Sequence, residues 1–206
     1  MTDIRFSGFG GQGIVRCALI AGKALNIYGG KFATMTQNFG PEARGGACSS
    51  QLVVSDDRVL YPYIQSPDIL ISMSQEAYDK YHVDLRAGAT LIIDEDLVKP
   101  KEVPKGVKFF MIPSTRFAEE LGNRIFANLV MMGFFTAVSG ITTAEVMKKA
   151  LPGLVPDRFL DKNFNAFDKG FDYGLAMLKE GNGKAPAKKK AAKKPAAKGG
   201  KGKKKK

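Results

Sequence analysis

The sequence predicts a three-layer α/β/α domain on a mixed, mostly parallel sheet, followed by a disordered tail. Three observations carry this. Apolar runs of strand length alternate with segments of helical period, the pattern of strands joined by crossover helices. Four glycines fall within residues 8–13, just after the first strand-like run and just before the first helical one. Asp56-Asp57 separates two strand-like stretches and marks a turn, so part of the sheet is expected to be antiparallel.

In chain order, residues 3–7 read as the first strand. Residues 14–26 read as a helix, with Val15, Leu19, Ile20, Ala24 and Leu25 near helical spacing and Gly29-Gly30 as its stop. Residues 32–36 form the next strand, and 47–54 another, alternating through Cys48, Ser50, Leu52 and Val54. The expected hairpin pairs 47–54 with 58–61. Ser66-Pro67-Asp68 then breaks the chain. Residues 69–73 read as a buried strand, and Ser74 caps a short helix over 75–81. Strands over 90–93 and 107–112 follow. Residues 115–121 and 125–139 are helical, the second so apolar that it belongs under the sheet. Thr142 to Glu145 offers a capping box for a helix reaching 151. Beyond Pro152 and Pro156, residues 157–178 place Phe159, Phe164, Phe167, Phe171, Leu175 and Leu178 at helical spacing. The domain is expected over 1–180 and the tail over 181–206.

Charge and cysteine usage narrow the function. The 206 residues carry a formal net charge of +12. Twelve of the 32 basic residues are lysines within 184–206, which has no acid, so the remainder sets 20 basic residues against 20 acidic ones. The basic balance therefore belongs to the tail, and the body offers no basic groove for nucleic acid. Two distant cysteines are too few for a disulfide framework, a zinc site or an iron–sulfur cluster held by this chain alone. The first residues do not read as a signal peptide, and the apolar run over 129–138 is too short to span a bilayer. A soluble, cytoplasmic setting without a membrane partner is expected.

Two loops carry the chemistry. The first, Ser7 to Gly13, crowds main-chain amides at a helix N-terminus, which favours an anion, most often a phosphate. Gly8-x-Gly10-x-x-Gly13 matches the dinucleotide fingerprint in spacing. Where that fingerprint expects a ribose-binding acid, the sequence has Gln37 and Asn38. A tight turn with no ligand is the alternative. In the second loop, Asn38 to Gly46, Pro41 fixes the turn and Gly45-Gly46 allow close approach. Arg44 offers a bidentate contact to phosphate or carboxylate, with Glu42 beside it. An ordinary surface ion pair is the alternative there.

Taken together, Gly8-Phe9-Gly10-Gly11-Gln12-Gly13, then Phe39-Gly40-Pro41-Glu42-Ala43-Arg44-Gly45-Gly46, then Ser55-Asp56, Tyr61-Pro62 and Ser72-Met73-Ser74-Gln75-Glu76-Ala77-Tyr78 resemble the gamma subunit of the 2-oxoacid:ferredoxin oxidoreductases. The resemblance covers residues 3–178 and is most similar to the 2-oxoglutarate branch, with pyruvate, phenylglyoxylate and indolepyruvate enzymes as alternatives. It implies a subunit that is inactive alone. Alpha, beta and ferredoxin-like delta partners would carry thiamine diphosphate, magnesium and 4Fe–4S clusters. They would decarboxylate a 2-oxoacid, pass two electrons to ferredoxin and transfer the acyl group to coenzyme A. The gamma domain is implied to help bind coenzyme A and to cover the site. The cofactor-binding candidates are then Gly8, Gly10, Gly11, Gln12, Gly13, Gly40, Pro41, Glu42, Arg44, Gly45 and Gly46. No catalytic or metal-binding residue is expected on this chain.

The remaining single residues read as structural: His82, Cys17, and Cys48 just past the second loop. Met131-Met132 and Phe134-Phe135 read as core or subunit interface. Two other classes stay open, a Rossmann-type nucleotide-binding dehydrogenase and a polyanion binder acting through the lysine tail. The tail is expected to tether the chain to an acidic partner such as ferredoxin, or to have no specific role; nucleic acid is at most a nonspecific contact.

Overall fold

Strand β1 (Thr2–Phe9) lies inside a six-stranded sheet and is paired along both edges. One edge takes β3 (Ala47–Ser55) antiparallel, with Phe9 opposite Ala47 and Thr2 opposite Val54. The other takes β4 (Ile69–Ser72) parallel. β2 (Phe32–Asn38) joins the far edge of β3, while β5 (Thr90–Asp94) and β6 (Lys108–Ile112) extend the parallel side. The order is β2-β3-β1-β4-β5-β6, and β3 runs against the other strands. The computed structural model describes residues 1–38 and 46–181.

The mixed, mostly parallel sheet agrees with the expectation from sequence, but the expected hairpin does not form. Residues 58–61 make no strand. A strand has two hydrogen-bonding edges, and β1 and β2 occupy both edges of β3. No edge is left for a return strand, so the antiparallel pairs come from the strands before β3 and not from the segment after it.

Alternation along each strand sorts the side chains onto two faces. Ile4, Phe6, Leu52, Ile71, Ile92 and Phe110 join one core with α1 (Ile14–Lys23), α4 (Ala127–Ser139) and α6 (Leu160–Lys179). Leu70, Leu91, Ile93 and Phe109 join a smaller core with Ala77, Tyr78 and Tyr81 of α2 (Gln75–Tyr81). The three layers are thus unequal, one thick and one thin. Two short helices, α3 (Ser114–Glu120) and α5 (Ala144–Lys149), complete the set.

α4 is buried from Ala127 to Thr136, as an all-round apolar helix must be. Met131, Met132, Phe134 and Phe135 are all core within this chain, which removes the interface alternative for them. Phe135 meets Phe6 edge-on at 5.5 Å. Gly133 of α4 lies against the Phe167 carbonyl of α6, and Gly170 of α6 against the Val130 carbonyl. The two backbones touch at this crossing, with no side chain between them.

Several boundaries move for local reasons. The helix expected over 14–26 widens after Lys23 into a π turn over Ala24–Tyr28, with Gly29 at its end. The helix expected from 125 begins at Ala127, behind a 3-10 turn over Arg124–Phe126 that Asn123 caps. Thr143 rather than Thr142 caps α5, its hydroxyl accepting from the Val146 N–H, so no capping box closes on Glu145. Ser74 caps α2 as expected, accepting from the Ala77 N–H.

Cys17 lies in the thick core, and burial pushes its thiol up from 9.0 to about 12. The folded state favours the neutral thiol. Its contribution to stability is therefore intact below pH 9 and is lost as pH rises toward 12. The stability of the wild type relative to Cys17→Ala is expected to fall by roughly 1.4 kcal/mol per pH unit across that window. Denaturant titrations of both proteins in mildly and strongly alkaline buffer check this; a constant difference would reject it.

Candidate functional site

After β1 the chain builds β2 and β3 on one side, then returns to lay β4 on the other. The carboxyl ends of β1 and β4 therefore flank a topological switch point, where α/β sheets bind ligands. A cleft of about 790 Å³ opens there. The glycine loop, the first turn of α1 and the amino end of α4 line it.

The glycine loop is held from inside. The Phe9 N–H donates to Gln12 Oε1 at 2.7 Å, and Gln12 Nε2 donates to the Met73 carbonyl at 2.8 Å. Gln12 thus ties the end of β1 to the segment just after β4. A Cβ on Gly8 would lie 2.5 Å from Gln12 Oε1 and 2.7 Å from Ile14 Cδ1. Gly13 starts α1 with φ 77°, and a Cβ there would strike the Asn128 carboxamide. Gly8 and Gly13 are glycines because this chain's own side chains fill the space beside them. At Gly10 and Gly11 nothing lies within 4 Å of where a Cβ would sit, so they form the open tip of the loop.

The start of α1 has no side-chain cap and no acid in its first turn. Arg16 stands there instead, a cation set against the positive end of the helix dipole. Such a local conflict marks functional positions more often than structural ones. Among the described residues, the charged groups lining the cleft are Arg16 and Arg124, with no carboxylate. Arg124 pairs with Glu119 through Nε. The uncapped amides and the arginines together give the cleft chemistry that attracts an anion. Exposed Leu19 and Ile125 add an apolar wall.

One wall is braced by Asp94, which is fully buried at the end of β5. Its carboxylate accepts from the Ser114 hydroxyl, from Thr115 N–H at 2.9 Å and Oγ1 at 2.8 Å, and from Asp96 N–H at 2.9 Å. This network holds Thr115 at the cleft and supplies the first amides of α3 with an acceptor.

Of the residues expected from sequence, Gly10, Gly11, Gln12 and Gly13 line the cleft, Gln12 as a brace whose carboxamide is spent on main-chain groups. Gly8 is behind them, beneath Gln12. Gly46 is half-buried at the start of β3 and does not line the cleft. Gly40, Pro41, Glu42, Arg44 and Gly45 fall in 39–45, outside the described residues, as does the tail over 182–206. The two anchors of 39–45 belong to the sheet. Asn38 ends β2 opposite Ser49, and Ala47 pairs with Phe9, so both anchors are at the glycine-loop edge of the sheet. Gln37 and Asn38 are exposed, and β2 offers no carboxylate for a ribose.

Cys48 lines the cleft, and burial raises its thiol above the ordinary range. That disfavours the thiolate and a nucleophilic role. His82 stacks on Tyr78 at 4.5 Å with Nδ1 2.8 Å from the Tyr78 carbonyl, a structural contact. Arg16, Arg124, Asn128 and Asp94 were not picked out from sequence. Signals existed for two of them: for Arg16 a cation where the first helix prefers an acid, and for Asn128 a lone amide early in an apolar helix.

A family model for pyruvate ferredoxin/flavodoxin oxidoreductase matches residues 3–173. The chain belongs to that family. It is a gamma subunit of a 2-oxoacid:ferredoxin oxidoreductase, an oxidoreductase complex. It is 45% identical over 172 residues to the 2-oxoglutarate synthase subunit KorC of Methanocaldococcus jannaschii, covering 82% of this chain and 92% of that one. The gamma subunit of a keto/oxoacid ferredoxin oxidoreductase from Geobacter sulfurreducens superposes with TM-score 0.75 at 38% identity, covering 85% of this chain and 99% of that one. The 2-oxoglutarate:ferredoxin oxidoreductase from Magnetococcus marinus, solved with 2-oxoglutarate, coenzyme A and succinyl-CoA bound, also gives TM-score 0.75, at 26% identity over 85% of this chain and 32% of that one. The matched part is about a third of that longer polypeptide. Among the described residues of the gamma chain, no helix is long and apolar enough to cross a membrane, and no group of three or more His, Cys, Asp or Glu is placed to hold a metal ion.

Proposed function

We propose that this gamma chain helps bind coenzyme A in a 2-oxoglutarate:ferredoxin oxidoreductase, which converts 2-oxoglutarate and coenzyme A to succinyl-CoA and carbon dioxide and passes two electrons to ferredoxin. The observation that carries this is the uncapped start of α1, opening with Arg16 and the Gly10-Gly11 tip onto the switch-point cleft. Coenzyme A brings a diphosphate and a 3′-phosphate, which suit free amides and guanidinium groups. Its pantetheine arm suits the apolar wall of Leu19 and Ile125. The KorC relatives favour 2-oxoglutarate over pyruvate, phenylglyoxylate or indolepyruvate as the substrate.

In this reading the alpha, beta and ferredoxin-like delta subunits hold thiamine diphosphate, magnesium and the 4Fe–4S clusters, which supply decarboxylation and electron transfer. This chain's residues bind and orient the coenzyme. Arg44, Glu42 and the neighbouring glycines of the second loop are proposed to approach the same ligand, since both anchors of that loop flank the site. A nicotinamide role is disfavoured by the missing ribose acid and by the internal filling at Gly8 and Gly13.

Native copurification tests the assembly: thiamine- and cluster-bearing subunits are expected to accompany the chain, and a chain that never copurifies with them would reject it. In the assembled enzyme, Arg16→Ala and Arg44→Ala are each expected to raise the KM for coenzyme A roughly tenfold, about the loss of one charge-assisted hydrogen bond. KM for the 2-oxoacid should stay within about twofold. An unchanged coenzyme A dependence in both variants would overturn the site assignment.

A further inference from the structure

Asn128 is 2% exposed, lines the cleft, and sits in the first turn of α4 against Gly13. Its Oδ1 has no hydrogen-bond partner among the described residues. A buried amide oxygen without a donor is destabilising, and native chains rarely keep one without a use. Its helix neighbours Ala127, Leu129 and Val130 are all buried hydrophobics, so the amide is the polar exception in this turn. Gly13 is matched to the amide, because any larger residue there would collide with it. The sequence thus maintains a polar group at the cleft floor together with the glycine that makes room for it.

We propose that Asn128 is a specificity-determining binding residue, whose Oδ1 accepts a hydrogen bond from a neutral N–H or O–H of the bound coenzyme. This rests on the coenzyme A reading above and adds to it. Cationic and main-chain donors at α1 recognise phosphate, and they serve any phosphorylated ligand alike. An acceptor beside them repels a bare phosphate and rewards a ligand with a hydroxyl or amide donor next to its phosphates. The pantoate segment of coenzyme A has both groups there. Asn128 therefore separates the coenzyme from inorganic phosphate and simple phosphate esters.

The test is Asn128→Leu in the assembled oxidoreductase, assayed beside Gly10→Val. Removing an unsatisfied buried amide is expected to leave the thermal midpoint unchanged or raised. KM for coenzyme A is expected to rise roughly tenfold with kcat unchanged, the effect of losing one ligand hydrogen bond. Inhibition by inorganic phosphate is expected to strengthen or stay level. If Asn128→Leu does not assemble, Asn128→Ala, which is smaller and cannot press on Gly13, carries the same expectation. A normal coenzyme A KM in the Asn128 variant, with a raised one in Gly10→Val, would overturn this inference and leave the site reading standing. A normal KM in both would overturn the two together.

Discussion

Gly133→Ala is expected to lower the thermal midpoint by about 6–12 °C, from an overpacking cost of about 3 kcal/mol and a conversion of about 2–4 °C per kcal/mol at this chain length. A Cβ at Gly133 would fall inside the van der Waals envelope of the Phe167 carbonyl and press on the Phe171 main-chain nitrogen. Those atoms are helix backbone, so neither can turn away as a side-chain end would. α4 and α6 would have to separate, opening a gap along the most apolar helix of the fold. Gly170→Ala meets the Val130 carbonyl from the other side of the same crossing. The double variant is expected to cost less than the sum, because the first separation already makes room for the second methyl. Gly22→Ala is the control. Its Cβ would meet the Leu52 Cδ1 at 3.3 Å, the mobile end of a side chain, and helix propensity favours the change by up to about 1 kcal/mol. Thermal melts by circular dichroism decide. Equal shifts for Gly22→Ala and Gly133→Ala would show that the helix crossing is not the cause.

Gly10→Val is expected to raise the KM for coenzyme A by roughly tenfold or more, while the thermal midpoint moves by no more than about 2 °C. The choice of position matters. Gly13→Val would strain a residue at φ 77° and collide with Asn128, so a lost activity there would report on folding as well as binding. Gly11 has φ 97°, where a β-branched residue is strained whatever the space around it. Gly10 has neither problem: its φ is not positive and no heavy atom lies within 4 Å of a Cβ. A valine there adds bulk only where a ligand would approach. Steady-state kinetics of the assembled complex, with coenzyme A varied at saturating 2-oxoacid, measures the effect. A wild-type KM would mean that the glycine tip faces no coenzyme.

The sequence was most informative where its signals were local. The strand-then-glycine pattern at Ile4 to Gly13 located β1, α1 and the loop that lines the cleft. Ser74 announced α2 through its cap, and the apolar run announced α4. The paired glycine loops were specific enough to show the family. The Asp56-Asp57 turn misled, because a turn signal says that the chain reverses and not which strand edge is free when it does. For Gln12 the structure adds what the sequence did not show: its carboxamide bonds to Phe9 and Met73 and braces the loop.

By itself, then, the sequence determined the α/β class, the positions of most strands and helices, the glycine loop at the start of α1 and membership of the gamma subunits. These follow from residue period and from glycine spacing, which act over one or two turns of chain. Only the tertiary structure decided that β1 and β2 both pair with β3, that Gly8 and Gly13 accommodate Gln12 and Asn128, and that Arg16 and Arg124 share one cleft. Gly13 with Asn128 and Arg16 with Arg124 are brought together by packing of the whole chain. A neighbour more than a hundred positions away leaves no mark on local spacing, and its effect exists only once the layers have closed.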